Sequence, residues 1–270
     1  MVRSSKSVRL QCATLIVLLL ITTPVAAVGS LTIPPDYTAV YKVLRNDREL
    51  AAVTIELSHS EDVWKLHGYS HDTRGLAKFL NIKGSQTTIG SWQDGRFIAE
   101  NYAYSFSLIG VRQFWKASFD WQSQVVEIED KHAKTSLPLD GFANDPFSLS
   151  LNLRVQLAAG LTEMSVRVVD EDKIEEHLYR IDARVKINTP LGCIDTTLLK
   201  RVREKSKRVS LGWYAQNRHF VPVRMQHRNK KGTRLELLIT ALEIDGVPVE
   251  PTAACKDQPD SGKSVRKPSA

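Results

Sequence analysis

From Tyr37 onward the apolar residues of this chain recur at every second position, and that period sets the fold class before any motif does. Tyr37, Ala39, Tyr41 and Val43 fall on one side of an extended segment, with Thr38 and Lys42 between them. Successive side chains of a strand point to opposite faces, so this is the signature of a half-buried strand. The polar cluster Arg45-Asn46-Asp47-Arg48 turns the chain, after which Val53, Ile55 and Leu57 resume the alternation, followed by Trp64, Leu66 and Gly68. The pattern returns over residues 83–92, 97–107, 114–120, 125–128, 164–169, 176–187, 192–202, 209–214, 220–228 and 235–243. Asp94-Gly95 is a strong signal for a type I′ hairpin turn. Strands joined by such short turns must run antiparallel. The expected fold is mainly β: one large curved antiparallel sheet or half-barrel of about a dozen strands.

Two segments break the period. Leu76, Phe79 and Leu80 are spaced as on a helix, which predicts a short one over residues 73–81. Residues 145–157 carry two signals at once. Phe147, Leu149, Leu151, Leu153, Val155 and Leu157 alternate as in a strand, but Asp145-Pro146 is a good helix start and Ala158-Ala159-Gly160 a good helix end. A helix buried on most sides shows no clean apolar stripe, so the end signals decide for a helix. Two short helices are therefore expected to pack on the sheet.

The ends of the chain differ from this body. Residues 1–27 hold Arg3, Lys6 and Arg9, then the apolar run 13–21, then the small residues Val25-Ala26-Ala27. That is the layout of a cleavable secretory signal, with an apolar core too short to span a bilayer. Cys12 precedes the apolar run, which argues against a lipoprotein signal. The expected location is the periplasm, with no transmembrane segment after processing. Residues 28–36 form a lead-in, 37–249 a single β-rich domain, and 250–270, rich in Lys, Asp, Ser and Pro, a disordered tail. The leader takes three of the 37 basic residues and none of the 30 acidic ones, leaving 34 against 30, about +4. So small an excess does not describe a nucleic-acid binder.

Two cysteines remain after the leader, Cys193 and Cys255. An oxidising compartment permits a disulfide between them; the alternative is two free thiols, one of them on the tail.

Catalytic signatures are missing from the sequence. Gly68-Tyr69-Ser70-His71-Asp72 lacks the second glycine of a nucleophile elbow. His67 and His71 are four apart, a metal-binding spacing only on a helix, and here they fall about a strand end. No cofactor, metal or enzymatic activity is expected.

Two features point to binding instead. Trp64, Trp92, Trp115, Trp121 and Trp213, with Tyr104, all fall in or beside strands. They either fill the interior or line a concave apolar surface suited to acyl chains. Lys200, Arg201, Arg203, Lys205, Lys207 and Arg208 form one basic stretch, and Lys230 and Lys231 belong to a second. If their turns gather, they make a cationic rim able to meet an anionic membrane peripherally; otherwise they are solvated hairpins whose lysines discourage edge pairing.

A set of short patterns occurs in order along the chain: Tyr41-Lys42-Val43, Gly75-Leu76-Ala77-Lys78-Phe79, Asp94-Gly95, Phe119-Asp120-Trp121, Asp145-Pro146-Phe147-Ser148, Thr189-Pro190-Leu191-Gly192, Trp213-Tyr214-Ala215 and Pro222-Val223-Arg224. Over residues 36–249 the chain thereby resembles a bacterial exported family known as domain of unknown function 3108. That resemblance implies no activity and no catalytic residues. In architecture alone the chain is similar to the half-barrels of periplasmic lipoprotein carriers. The resulting expectation is a non-enzymatic protein that binds an apolar or lipid-like envelope ligand or serves envelope assembly. The alternatives are a structural or protein-interaction module, or an enzyme whose site the sequence does not reveal.

Overall fold

The computed structural model describes residues 32–71, 83–108, 111–204 and 206–256. The leader, the helix expected over 73–81, Lys205 and residues 257–270 lie outside them. Fifteen strands are found among the described residues. The first eight are β1 (Tyr37–Arg45), β2 (Arg48–Ser60), β3 (Val63–His71), β4 (Lys83–Gln93), β5 (Arg96–Leu108), β6 (Val111–Asp120), β7 (Val125–Asp130) and β8 (Lys134–Pro138). Helix α1 (Leu149–Ala158) follows. Then come β9 (Glu163–Val169), β10 (Ile174–Thr189), β11 (Gly192–Val202), β12 (Val209–Ala215), β13 (Pro222–Arg228), β14 (Arg234–Ile244) and the two-residue β15 (Val247–Pro248).

All of them belong to one antiparallel sheet, in the order β8-β7-β6-β5-β4-β3-β2-β1-β14-β13-β12-β11-β10-β9, with β15 on β14. Two meanders, β1–β8 and β9–β14, are joined where the first strand pairs with the fourteenth, Tyr37 opposite Ile244 and Arg45 opposite Leu235. The end strands β8 and β9 do not pair with each other, so the sheet is curved but not closed. Asp94 and Gly95 both have positive φ, 50° and 72°, as the β4–β5 turn requires.

One helix is found among the described residues where two were expected. Its position explains the double signal in its sequence. Leu149, Leu153 and Leu157 pack on Met164, Val166 and Val168 of β9, with Leu199 and Tyr214, while Leu151 and Val155 belong to the larger core built mostly on β1–β7. Alternate leucines thus serve two opposed cores, which produces strand-like alternation in a helix. Contact with both β5 and β9, strands near opposite ends of the sheet, requires the sheet to curl around α1.

Polar side chains fix the plug. Asn152 accepts from Phe97 N–H and donates to Phe97 C=O, both at 2.9 Å, completing the pairing of a β5 residue from the helix. Asp145 Oδ1 accepts from the N–H groups of Phe147 (2.8 Å) and Ser148 (3.0 Å) and from the Thr88 hydroxyl on β4 (2.9 Å). It was expected at the helix N-cap, and it instead caps the turn that leads into α1 four residues later. Arg154, 1% exposed, donates from Nε to the His219 carbonyl (3.0 Å) and lays its guanidinium 4.8 Å from the Tyr37 ring centre.

The chain does not leave the domain at residue 249. Thr252 N–H donates to Leu191 C=O, Cys193 N–H to Ala253 C=O, and Cys255 N–H to the Asn188 side chain. The segment lies so close that a Cβ on Gly192 would sit 2.1 Å from the Thr252 carbonyl oxygen, and Gly192 also has φ of 90°. The alternative of two free thiols is corrected here: Cys193 and Cys255 form a disulfide, 62 residues apart in sequence. The disordered tail expected from residue 250 likewise fails for residues 250–256.

Candidate functional site

The strand registers place a straight apolar row across the C-terminal meander. Leu199 (β11) is opposite Gly212 (β12), Gly212 opposite Met225 (β13), Met225 opposite Leu237 (β14), and Leu237 opposite Val43 (β1). Residues directly opposite in an antiparallel pair share a face, so these five form the floor of one surface. Leu149 and Leu153 of α1 and Tyr179 and Tyr214 form its walls. The result is a groove of about 410 Å³, lined mainly by carbon, within the range of small-ligand sites.

Gly212 makes the groove possible. A Cβ there would meet the Tyr214 ring at 2.8 Å, so the glycine leaves the space in which this ring, one wall of the groove, is seated. A lone glycine inside a strand marks such a close approach, and it was the one local signal for this site in the sequence.

One row further along the strands the chemistry changes. Ser210 is opposite His227, and His227 opposite Leu235. Ser210 Oγ is 3.0 Å from His227 Nδ1 and accepts from Arg203 Nη2 at 3.1 Å. Arg201 is opposite Tyr179 and donates to Glu175 at 3.3 Å. Burial, with Arg203, Arg208 and Arg201 nearby, pushes His227 below the ordinary histidine range. No carboxylate hydrogen-bonds to His227 among the described residues. The pair is not a triad.

The aromatic residues expected to line a ligand surface lie elsewhere, and that expectation is corrected. Trp64 is fully buried, donates Nε1–H to Ser91 C=O (2.9 Å) and meets Phe97 edge-on at 5.3 Å. Trp92 packs on the same Phe97, Trp115 on Tyr102 at 4.5 Å, and Trp121 stacks between Phe119 and Phe142. Tyr104 is half-buried against this larger core. Trp213 alternates with Gly212 and Tyr214, faces away from the groove, and carries the Arg224 guanidinium 4.8 Å from its ring centre. All six occupy or abut the core, and none lines the groove.

The basic turns do lie at one end of the sheet, because Val209 at the start of β12 is opposite Arg228 at the end of β13. Lys200 pairs with Asp182 at 3.9 Å, while Lys207, Arg208, Lys230 and Lys231 are exposed. The polar row of the groove opens toward this end. His67 hydrogen-bonds with Thr87, and His71 with Thr54, each across a strand pair. No group of three or more His, Cys, Asp or Glu side chains converges as for a metal among the described residues. No helix among them is long and apolar enough to cross a membrane.

No curated protein matches the sequence. Among solved structures, a β-barrel-like protein of the domain of unknown function DUF1849 from Brucella abortus superposes with a TM-score of 0.52 at 10% identity, covering 78% of this chain and 98% of its own. That likeness speaks for the fold alone. A "putative lipoprotein" from Parabacteroides distasonis matches at a TM-score of 0.32 and 12% identity, over 79% of this chain and 97% of its own. The family described as protein of unknown function DUF3108 matches residues 36–240, from the entry of β1 into β14, and the chain belongs to that family.

Proposed function

We propose that this protein is a non-enzymatic binder of an apolar or lipid-like ligand, exported by its leader and acting in the cell envelope. The observation that carries the reading is the open groove on the row Leu199-Gly212-Met225-Leu237-Val43. An apolar concavity of this size left open to water costs free energy that an apolar ligand would recover.

Native mass spectrometry of protein purified from its own envelope, followed by lipid extraction, tests the reading. A stoichiometric apolar ligand that disappears in Met225→Trp, which fills the floor, is the expected result. Protein that carries nothing and takes up no acyl probe would overturn it and leave a structural or interaction role.

A further inference from the structure

We infer that the groove is built for a single-chain amphiphile with an anionic head, its acyl chain on the Leu199-Gly212-Met225-Leu237 row and its head against Arg203, Arg201, Ser210 and His227. This rests on the proposed apolar-ligand reading and adds to it the polarity, orientation and head charge of the occupant.

The strand pattern itself supplies the polarity. Leu199, Arg201 and Arg203 alternate along β11 and its exit, so the same face passes from carbon to guanidinium within two steps. The neighbouring strands make the same change, from Gly212 to Ser210 and from Met225 to His227. A ligand seated on the apolar row would therefore have hydrogen-bond donors beside it, one row further along the strands.

The charges at that end are not balanced. Arg201, Arg203 and Arg208 all act on His227, and Glu175 is the carboxylate bonded to any of the three among the described residues. Glu175 is already shared with Lys173 at 2.9 Å and His177 at 3.3 Å. Arg203 has no carboxylate partner there. Among the described residues, neither its buried Nη1 nor the buried Nε of Arg201 has a hydrogen-bond partner. A buried donor left unmade carries its full desolvation cost, larger still on a charged group. A carboxylate or phosphate oxygen beside Ser210, which already accepts from Arg203, would offset the repulsion between the two arginines, and the buried donors would reach it once their side chains turn toward the groove. Arginine presents paired N–H groups that suit either oxyanion.

Size favours one chain. The groove lies toward the small end of ligand sites, and α1 closes one side of it through Leu149 and Leu153.

The test compares four probes of equal chain length by isothermal titration: dodecanoate, dodecyl phosphate, dodecanol and dodecyltrimethylammonium. Both anions should bind at least about tenfold tighter than dodecanol, in keeping with charge-assisted hydrogen bonds. Arg203→Gln should remove that preference by weakening both anions far more than dodecanol, and Arg203→Lys should restore part of it. A tighter fit of one anion over the other assigns the head as carboxylate or phosphate. Should Arg203→Gln fail to fold, rising salt on the unaltered protein serves instead, weakening the anions and sparing dodecanol. Dodecanol binding as tightly as the anions, or the cation binding best, would overturn this inference and leave the apolar groove standing. Failure of all four would overturn the groove reading itself.

Discussion

The two meanders of this sheet use side-chain volume in opposite ways. On β1–β7 the concave face is packed with Trp64, Phe97, Tyr102, Trp115 and Phe119, and the core they form is closed. On β10–β14 the corresponding face carries Leu199, Gly212, Met225 and Leu237, and a groove remains open. Neighbouring strands pair antiparallel in both meanders, and the same helix lies against both. What separates a core from a site here is therefore the size of the inward residues, not the architecture. The tryptophans and phenylalanines mark the filled part of the face, and the groove lies where Leu199, Met225 and Leu237 take their place.

The largest test of that contrast is truncation on each side. Trp64→Ala should cost about 3–5 kcal/mol by urea denaturation, as for a fully buried aromatic. Met225→Ala, at the half-buried floor, should cost far less. Equal losses would mean that the groove side is packed as tightly as the aromatic side.

The covalent link belongs to the open side alone. A disulfide closing a loop of this length contributes up to about 4 kcal/mol through the unfolded chain. Cys193→Ser combined with Cys255→Ser should lower the urea midpoint accordingly. The β10–β11 turn and residues 250–256 should then lose hydrogen-exchange protection while β3–β6 keep theirs. Uniform loss across both meanders would show that they unfold as one unit.

Acid should distinguish the sides next. Burial, helped by Arg201, depresses His177 to about 4. Its contribution is thus fully present above the ordinary value near 6.5 and is lost as pH falls toward 4. Glu175 is held at about 2, first by its bond to Lys173, so its contribution is lost between about 4.5 and 2. Asp145 has the opposite sign: burial raises it, so its ionisation destabilises the fold as pH rises through that raised value. Stability followed from neutral pH to pH 4 should fall, and His177→Gln should flatten the slope. An unchanged slope would remove His177 from the account.

The smallest effect is expected at Asp120, on the aromatic side. Its carboxylate accepts from Gln122 N–H (3.0 Å) and Ser123 N–H (2.9 Å), and these bonds lower its pKa. An aspartate before a tight turn fixes it in this way, by accepting from backbone donors two residues on. Asp120→Asn retains an acceptor, and its thermal midpoint should match that of the parent protein within error.

Local chemistry made most of the sheet legible. The β4–β5 turn follows from Asp94-Gly95, and β11 appears at its full length, Gly192–Val202, from alternation alone. By contrast, β8 escapes because Lys134–Pro138 is an exposed edge in which only Leu137 is partly buried. The groove escapes for a different reason. Its floor is a row across five strands, and such a row depends on four registers at once, one of them between residues about 200 positions apart. The disulfide is hidden in the same way, since Cys255 reaches Cys193 only because Thr252 and Ala253 dock beside Gly192. Tryptophan position was legible, but its burial was not, because a strand pattern does not say which concave face is filled.

The β1–β14 seam also sets an order of events in time. Tyr41 and Val43 find their final neighbours, Ile239 and Leu237, only after nearly the whole chain has been made. Until then the first meander exposes a bare strand edge, a template for another molecule's strand. Closing a ring of that span is slow compared with forming any hairpin within it. A nascent chain interrupted before residue 234 would therefore hold most of its sheet and lack the strand that seals it. Whatever escorts this protein before completion has that edge to shield.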